Sequence, residues 1–227
     1  MKIISFSLWG SNSRYTLGAL QNASLAKMVY PDWICRYYVG KSTPQQTISQ
    51  LSEFDNVEIV EMEEEENWTS TFWRFLAAGD DSVEVMISRD VDSRLWFREK
   101  KAVDEWLDSD KDFHIMRDHP YHGVPILAGM WGARGNILKN IKKLCNDFEK
   151  KKTLKQVDQN FLAQVVFPMV EEKSFIHDEY FTKDSPFPTK RNEKHFVGQA
   201  YAGCGRILSG CDEYFQEYMR EEYDSIC

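Results

Sequence analysis

The chain alternates short apolar runs with amphipathic stretches, and that rhythm predicts its elements. "KIISFSLWG" reads as a strand running into the polar loop "GSNSRYT". "LGALQNASLAKMVY" carries Leu17, Leu20, Leu25 and Met28 at helical spacing and stops before Pro31, so it predicts a helix. "WICRYYVG" is strand-like and closed by Gly40, "TPQQTISQLSEF" reads as a second helix, and "NVEIVEM" alternates as a third strand should. "TSTFWRFLAAG" predicts a helix capped by Thr69 or Ser70 and ended by Gly79. "SVEVMIS", "FREKKAVDEWLDS" and "FHIMRD" continue as strand, amphipathic helix and strand. This order predicts an α/β fold of three layers with a mostly parallel central sheet, in which ligands bind beyond the carboxyl ends of the strands.

The second half is less regular. "GNILKNIKKLCNDFEKKK" predicts a helix with one basic face, and "VDQNFLAQVVFPMV" a helix ending near Pro168. From Ser174 onward Pro, Gly, aromatic and charged residues form a long irregular segment whose aromatic content favours a functional loop. A length of 227 residues suits one domain around a single core.

Composition narrows the function classes. A formal net charge of −8 argues against a general nucleic-acid binder, which would show a basic face. Five cysteines without a C-x-x-C pair fit reduced thiols better than a disulfide framework or a zinc cluster. The first residues are too soon broken by polar ones for a signal peptide, and no apolar run reaches membrane-spanning length. A cytoplasmic location is expected, with the sequons at Asn22 and Asn67 as chance matches.

"MISRDVDSRLW" places Asp90 and Asp92 two apart at the end of an apolar run. If extended geometry persists there, both carboxylates face one way, a hard oxygen pair suited to Mg²⁺ or Mn²⁺ on a diphosphate. Arg74 lies among Phe72, Trp73 and Phe75, a setting in which a guanidinium needs an anionic partner. Arg89 and Arg94 bracket the aspartates. Asp118 and His119 stand at another strand end, where Pro120 holds His119 extended. His114, His119 and His122 span a strand and would not all face one way, which argues against a histidine metal cluster. Lys183, Lys190 and Arg191 form a basic patch able to close over phosphates.

"TFWRFLAAGDDSVEVMISRDVDSRL", followed by "FHIMRDHPYHGVPILAGMWGARGN" and "DQNFLAQVVFP", resembles GT-A fold nucleotide-sugar glycosyltransferases with an Asp-x-Asp motif, including small chlorella-virus-type domains. The resemblance spans roughly residues 1–200. It implies a Rossmann-like GT-A domain over 1–227, with a donor-nucleotide half over about 1–95 and a sugar and acceptor half over about 96–227. It further implies a hexosyltransferase moving a sugar from a nucleotide-diphosphate donor, a UDP-sugar, to a glycan or glycoprotein acceptor with Mn²⁺ or Mg²⁺. Asp90 and Asp92 match the metal motif, and Asp90 also the donor site. Arg74 matches the donor-site arginine. Ser7, Leu8, Trp9 and Arg14 match the nucleotide-binding edge. Asp158 matches the acid near the donor sugar, Asp118 is expected to grip sugar hydroxyls, and His177 sits where relatives place a third metal ligand. Relatives often follow that histidine with Gly and Lys, whereas Asp178 and Glu179 follow here. Two other readings stay open: a nucleotidyltransferase acting on sugar phosphates, which would usually show a Gly-rich first loop, and a non-catalytic nucleotide-sugar-binding module.

Overall fold

The computed structural model describes residues 1–64, 66–135, 137–149, 156–182, 185–191 and 195–203. The first half alternates as β1 (Lys2–Leu8), α1 (Ser13–Val29), β2 (Ile34–Val39), α2 (Gln45–Ser52), β3 (Val57–Glu61), a 3-10 helix (Trp68–Gly79), β4 (Val85–Ser88) and α3 (Phe97–Asp108). There follow β5 (Phe113–Arg117), β6 (Trp131–Arg134) and α4 (Ile141–Glu149). Then α5 (Val157–Phe161) runs through a π-helical turn (Leu162–Val166) into α6 (Phe167–Val170), so the helix passes Pro168 before β7 (Ser174–Asp178).

The strands form one sheet of order β3-β2-β1-β4-β6-β5-β7. Strand pairs are parallel except those of β6, which is antiparallel to both β4 and β5. The mostly parallel α/β sheet is as expected. The strands β6 and β7 were not anticipated, because "WGAR" and "SFIHD" lack a sustained β pattern. Gly132 suits β6 to its crowded place, since a Cβ there would meet the Trp106 ring at 2.9 Å and the Met86 carbonyl at 3.0 Å.

Strand β1 divides the core by simple alternation. Ile4, Phe6 and Leu8 pack with Ala19, Ala23, Ala26 and Trp106, whereas Ile3 joins Phe72, Phe75 and Trp131 on the opposite face. The apolar stripe expected on α1 is corrected here: Leu17 and Met28 are exposed, while Gly18, Ala19, Ala23 and Ala26 are buried. Small residues let α1 approach closely, and a Cβ at Gly18 would overlap the Val91 carbonyl. Buried Asn22 then donates through Nδ2 to the carbonyls of Val91 (3.2 Å) and Ser93 (3.0 Å) and accepts from the Leu95 amide at 3.2 Å. Its side chain is thereby committed to the turn after β4.

The stretch expected as an ordinary helix around Arg74 is a 3-10 helix of 12 residues, an unusual length for that geometry. Its cap is Asn67 rather than Thr69 or Ser70: Asn67 Oδ1 accepts from the Thr69 amide at 2.8 Å, and Ser70 Oγ accepts from the Asn67 amide at 3.0 Å. Two β1 serines hold it from below. Ser5 Oγ donates to the Arg74 carbonyl at 2.6 Å, and the Arg74 amide donates to Ser7 Oγ at 2.9 Å. Arg74 is thus pinned by its backbone at the carboxyl end of β1. Among the described residues no helix is long and apolar enough to cross a membrane.

Candidate active site

The sheet reverses its strand order between β1 and β4, and a cleft opens beyond the carboxyl ends of these two strands. Its volume is about 850 Å³, and its charged lining is Arg14, Arg74, Asp90, Asp92 and Asp158. A smaller recess of about 230 Å³ shares Arg74, Asp90, Asp158 and Gly198 with it and continues past Leu127, Gly129 and Met130.

The segment after β4 does not stay extended. Ser93 closes a turn onto the Asp90 carbonyl through its amide (3.2 Å) and its hydroxyl (2.8 Å), yet Asp90 and Asp92 both line the cleft. Arg74 bridges two acids: one guanidinium nitrogen binds Asp90, the other binds Asp158 Oδ2 at 2.9 Å. Arg14, from the first turn of α1, binds Asp92. Burial alone would lower the Arg74 pKa, but the Asp90 and Asp158 carboxylates outweigh it and hold Arg74 more firmly charged than usual. Burial, and then the adjacent Asp90 charge, push the Asp92 carboxyl above the usual aspartate range, with Arg14 partly offsetting them. Three carboxylates against two guanidiniums leave the lining one negative charge in excess. A bare diphosphate would be repelled there, and a divalent cation would reverse the sign.

Asp158 stands in the first turn of α5, which begins after Gln156 with its left-handed φ of 68°. Its Oδ1 accepts from the Gln159 amide at 2.9 Å, and its Oδ2 accepts from Arg74 at 2.9 Å. Ser7 and Trp9 line the cleft as well, with Trp9 edge-on to Trp73 at 6.0 Å. The segment 195–203 crosses one side: Gly198 and Ala200 line the cleft, and the Tyr201 amide donates to the Asp92 carbonyl at 2.8 Å.

Other expected residues are placed elsewhere. Leu8 packs in the core and uses its carbonyl to accept from the Gly40 amide at 2.8 Å. Asp118 is sealed behind the recess, bound by Arg98 at 2.9 and 3.0 Å, by Arg191 at 2.7 Å and by the Val197 amide at 3.0 Å, so it has no face for a sugar. Arg191 is turned to Asp118 rather than to phosphates, Lys190 is exposed, and Lys183 lies outside the described residues. His177 is not a partner of the aspartates. It sits on β7, three strands from β4 or roughly 14 Å. Both its ring nitrogens are engaged, Nδ1 with His114 at 2.8 Å and Nε2 with Glu105 at 3.1 Å. Among the described residues no three His, Cys, Asp or Glu side chains gather in a group that could hold a metal ion. The bracketing arginines serve the scaffold: Arg89 pairs with buried Glu99 at 3.0 Å, and Arg94 lies over the Tyr201 ring at 5.0 Å.

Sequence reasoning missed Asn22, Gly129 and Gly198, whose surroundings come from distant parts of the chain, and weighed His122 only as a member of a histidine metal cluster. Gly198 has a φ of +83°, and a Cβ there would meet Met130 Sδ at 2.6 Å. Its place in "FVGQAYAG" was the one available signal.

No protein-family model matches the chain, and no curated protein matches it. Solved structures do. A glycosyltransferase involved in the glycosylation of the major capsid of PBCV-1 aligns over 95% of this chain and 98% of its own, with a TM-score of 0.53 and 16% identity. Residues 1–349 of TarS from S. aureus, in complex with UDP, align over 82% of this chain and 59% of that one, at a TM-score of 0.54 and 16% identity. The mannosyltransferase PcManGT from Pyrobaculum calidifontis, in complex with GDP-Man and Mn²⁺, aligns over 78% and 54%, at a TM-score of 0.51 and 10% identity. At these identities the likeness is one of fold, and the fold is that of GT-A type glycosyltransferases.

Proposed function

We propose that the chain is a metal-dependent glycosyltransferase that moves a hexosyl group from a UDP-sugar to a glycan acceptor. The observation that carries this reading is the Arg74 bridge between Asp90 and Asp158, three residues that line both the cleft and the recess and so mark their junction. A nucleotide-sized cleft meets a sugar-sized recess at that guanidinium, which is where the diphosphate of a nucleotide sugar would lie.

The nucleotide occupies the larger cleft, along Ser7, Trp9 and Arg14, with Tyr15 and Trp68 offering further ring surface. Arg14 and Arg74 are the cations within reach of its phosphates. Asp90 and Asp92 fit a divalent ion: two hard oxygen donors suffice for Mn²⁺ or Mg²⁺, which take their remaining ligands from phosphate and water. When bound, such an ion neutralises charge on the departing diphosphate. Arg74 adds a second, fixed positive charge at the same point, in a setting where preorganised charge is effective. Asp158, oriented by Arg74 and the Gln159 amide, accepts hydrogen bonds from sugar hydroxyls. Segments from 7–92 and 156–200 both contribute to the cleft, so the nucleotide would be held by both halves of the chain. Cys35 is a buried free thiol, in keeping with a cytoplasmic enzyme.

The test is thermal stability against UDP, GDP, CMP and ADP, each with and without Mn²⁺. A ligand at about a hundred times its Kd stabilises the folded state by about 2.7 kcal/mol, a rise of roughly 5–10 °C for a chain of this size. We expect that rise with UDP in Mn²⁺. No rise with any nucleotide would overturn the reading. A rise with CMP alone, with pyrophosphate released from CTP and a sugar phosphate, would replace it with the nucleotidyltransferase.

A further inference from the structure

The geometry points to His122 as a residue that selects the donor sugar, presenting an Nε2–H group to a hydroxyl of the hexose seated in the recess. This rests on the glycosyltransferase reading above and names a determinant inside it.

His122 is nine-tenths buried and lines the recess. Its Nδ1 accepts from the Asp118 amide at 3.1 Å, so in a neutral ring the proton sits on Nε2. Burial, and then the neighbouring His119, pull its pKa down to about 3, which keeps the ring neutral and the tautomer set at any ordinary working pH. Among the described residues Nε2 has no hydrogen-bond partner, and it is not one of the sealed, unpartnered nitrogens of the interior. It is therefore an accessible, unused donor on a residue that lines the recess.

The ring is held at that angle. The His122 amide donates to the His119 carbonyl at 2.8 Å, the Val124 amide donates to the His122 carbonyl at 2.9 Å, and Phe196 stands edge-on at 5.6 Å. Asp118, whose amide fixes Nδ1, is itself clamped by Arg98 and Arg191. Gln159 supplies a second donor. Its Oε1 accepts from the Ala128 amide at 2.7 Å, which leaves its NH₂ group for the recess. The recess thus has acceptors, the Asp90 and Asp158 carboxylates, and neutral donors, His122 and Gln159, over an apolar floor that includes Leu127 and Met130. A hydroxyl can donate to the first set and accept from the second. A sugar without an oxygen opposite His122 would leave a buried donor unpaired, the arrangement that discriminates most strongly between similar ligands.

Two variants separate recognition from folding. In His122→Asn the side-chain oxygen can replace Nδ1 for the Asp118 amide but reaches no further. In His122→Gln the amide nitrogen can replace Nε2. Calorimetry in Mn²⁺ would give the Kd of UDP and of UDP-glucose, UDP-galactose and UDP-N-acetylglucosamine for each protein. For the UDP-sugar that wild type binds most tightly, we expect its affinity relative to UDP to fall about tenfold in His122→Asn and to recover in part in His122→Gln. UDP itself should bind all three proteins within about twofold. An unchanged ratio in His122→Asn overturns the assignment, as does loss of UDP binding together with a lowered melting temperature, which would make His122 structural. If UDP binds and none of the three UDP-sugars does, the recess does not admit a hexose and the assignment fails. If wild type binds no UDP, the glycosyltransferase reading falls first.

Discussion

Gly129 lies against Asp90 so closely that a Cβ added to the glycine would sit 2.6 Å from the Asp90 carboxyl carbon and 3.0 Å from its backbone nitrogen. The approach to β6 and the aim of the Asp90 carboxylate therefore depend on a missing side chain. Gly129→Ala should push the carboxylate off its line to Arg74 while costing about 1–3 kcal/mol, the usual range for overpacking. The expected result is a modest drop in melting temperature with at least a tenfold loss of Mn²⁺-dependent UDP binding. Unaltered UDP binding in a folded Gly129→Ala protein would show that Asp90 is not held by this contact.

Arg74→Ala removes the cation shared by Asp90 and Asp158 and leaves two carboxylates facing each other. The expected destabilisation is roughly 3 kcal/mol, at the low end for a broken buried pair because water still reaches Asp90. Activity should fall further than stability, and Arg74→Lys should recover stability better than activity, because a lysine cannot bind both acids with a planar fork. Urea melts alongside donor-turnover rates would check both.

Asp92→Asn should leave stability within about 1 kcal/mol of wild type, since its partner Arg14 is partly solvated. The Mn²⁺-dependent part of the UDP melting shift should vanish, while any metal-independent part remains. Retention of the full metal-dependent shift would remove Asp92 from the candidate metal site.

Asn22→Ala deletes three hydrogen bonds to the turn after β4, 69 to 73 residues away in sequence. Stranding those backbone groups should cost about 2–3 kcal/mol. It should also weaken metal-dependent UDP binding, because the turn carries Asp90 and Asp92, and calorimetry of the folded variant would show it.

Stability should fall on mild acidification. His114 and His122 take up protons less readily in the folded chain than unfolded, chiefly through burial, and in His177 burial outweighs the pull of Glu105. Their folded pKa values are depressed, so their stability contribution is present above the unfolded value near 6.5 and is lost as pH falls below it toward the folded values. The slope should reach up to about 1.4 kcal/mol per pH unit for each histidine. Urea midpoints at pH 7, 6 and 5 would reveal it, and His114→Gln should flatten the slope by about one proton. A flat wild-type profile would refute the account.

Much of the architecture is written in local pattern. The alternating order of elements through β5 follows from periodicity and from Gly and Pro punctuation, because both are properties of residues a few positions apart. Arg74 amid aromatics asked for an acid on elementary grounds, since burying a lone guanidinium is costly. Tertiary structure supplied two, at 16 and 84 residues' remove. Distance in sequence is also what hid the rest. Which side of α1 is buried depended on how closely the turn after β4 could approach Gly18, so Leu20 and Leu25 pack against the core while Leu17 and Met28 do not. Whether Asp118 and His177 served a ligand or the scaffold depended on Arg98 and Glu105 of α3, His114 of β5 and Arg191 of the segment 185–191, all distant in sequence from one or both of them. A sequence displays its titratable groups and their spacing. Only the folded chain decides which of them are consumed by neighbours and which, like the Nε2 of His122, are left accessible and unused.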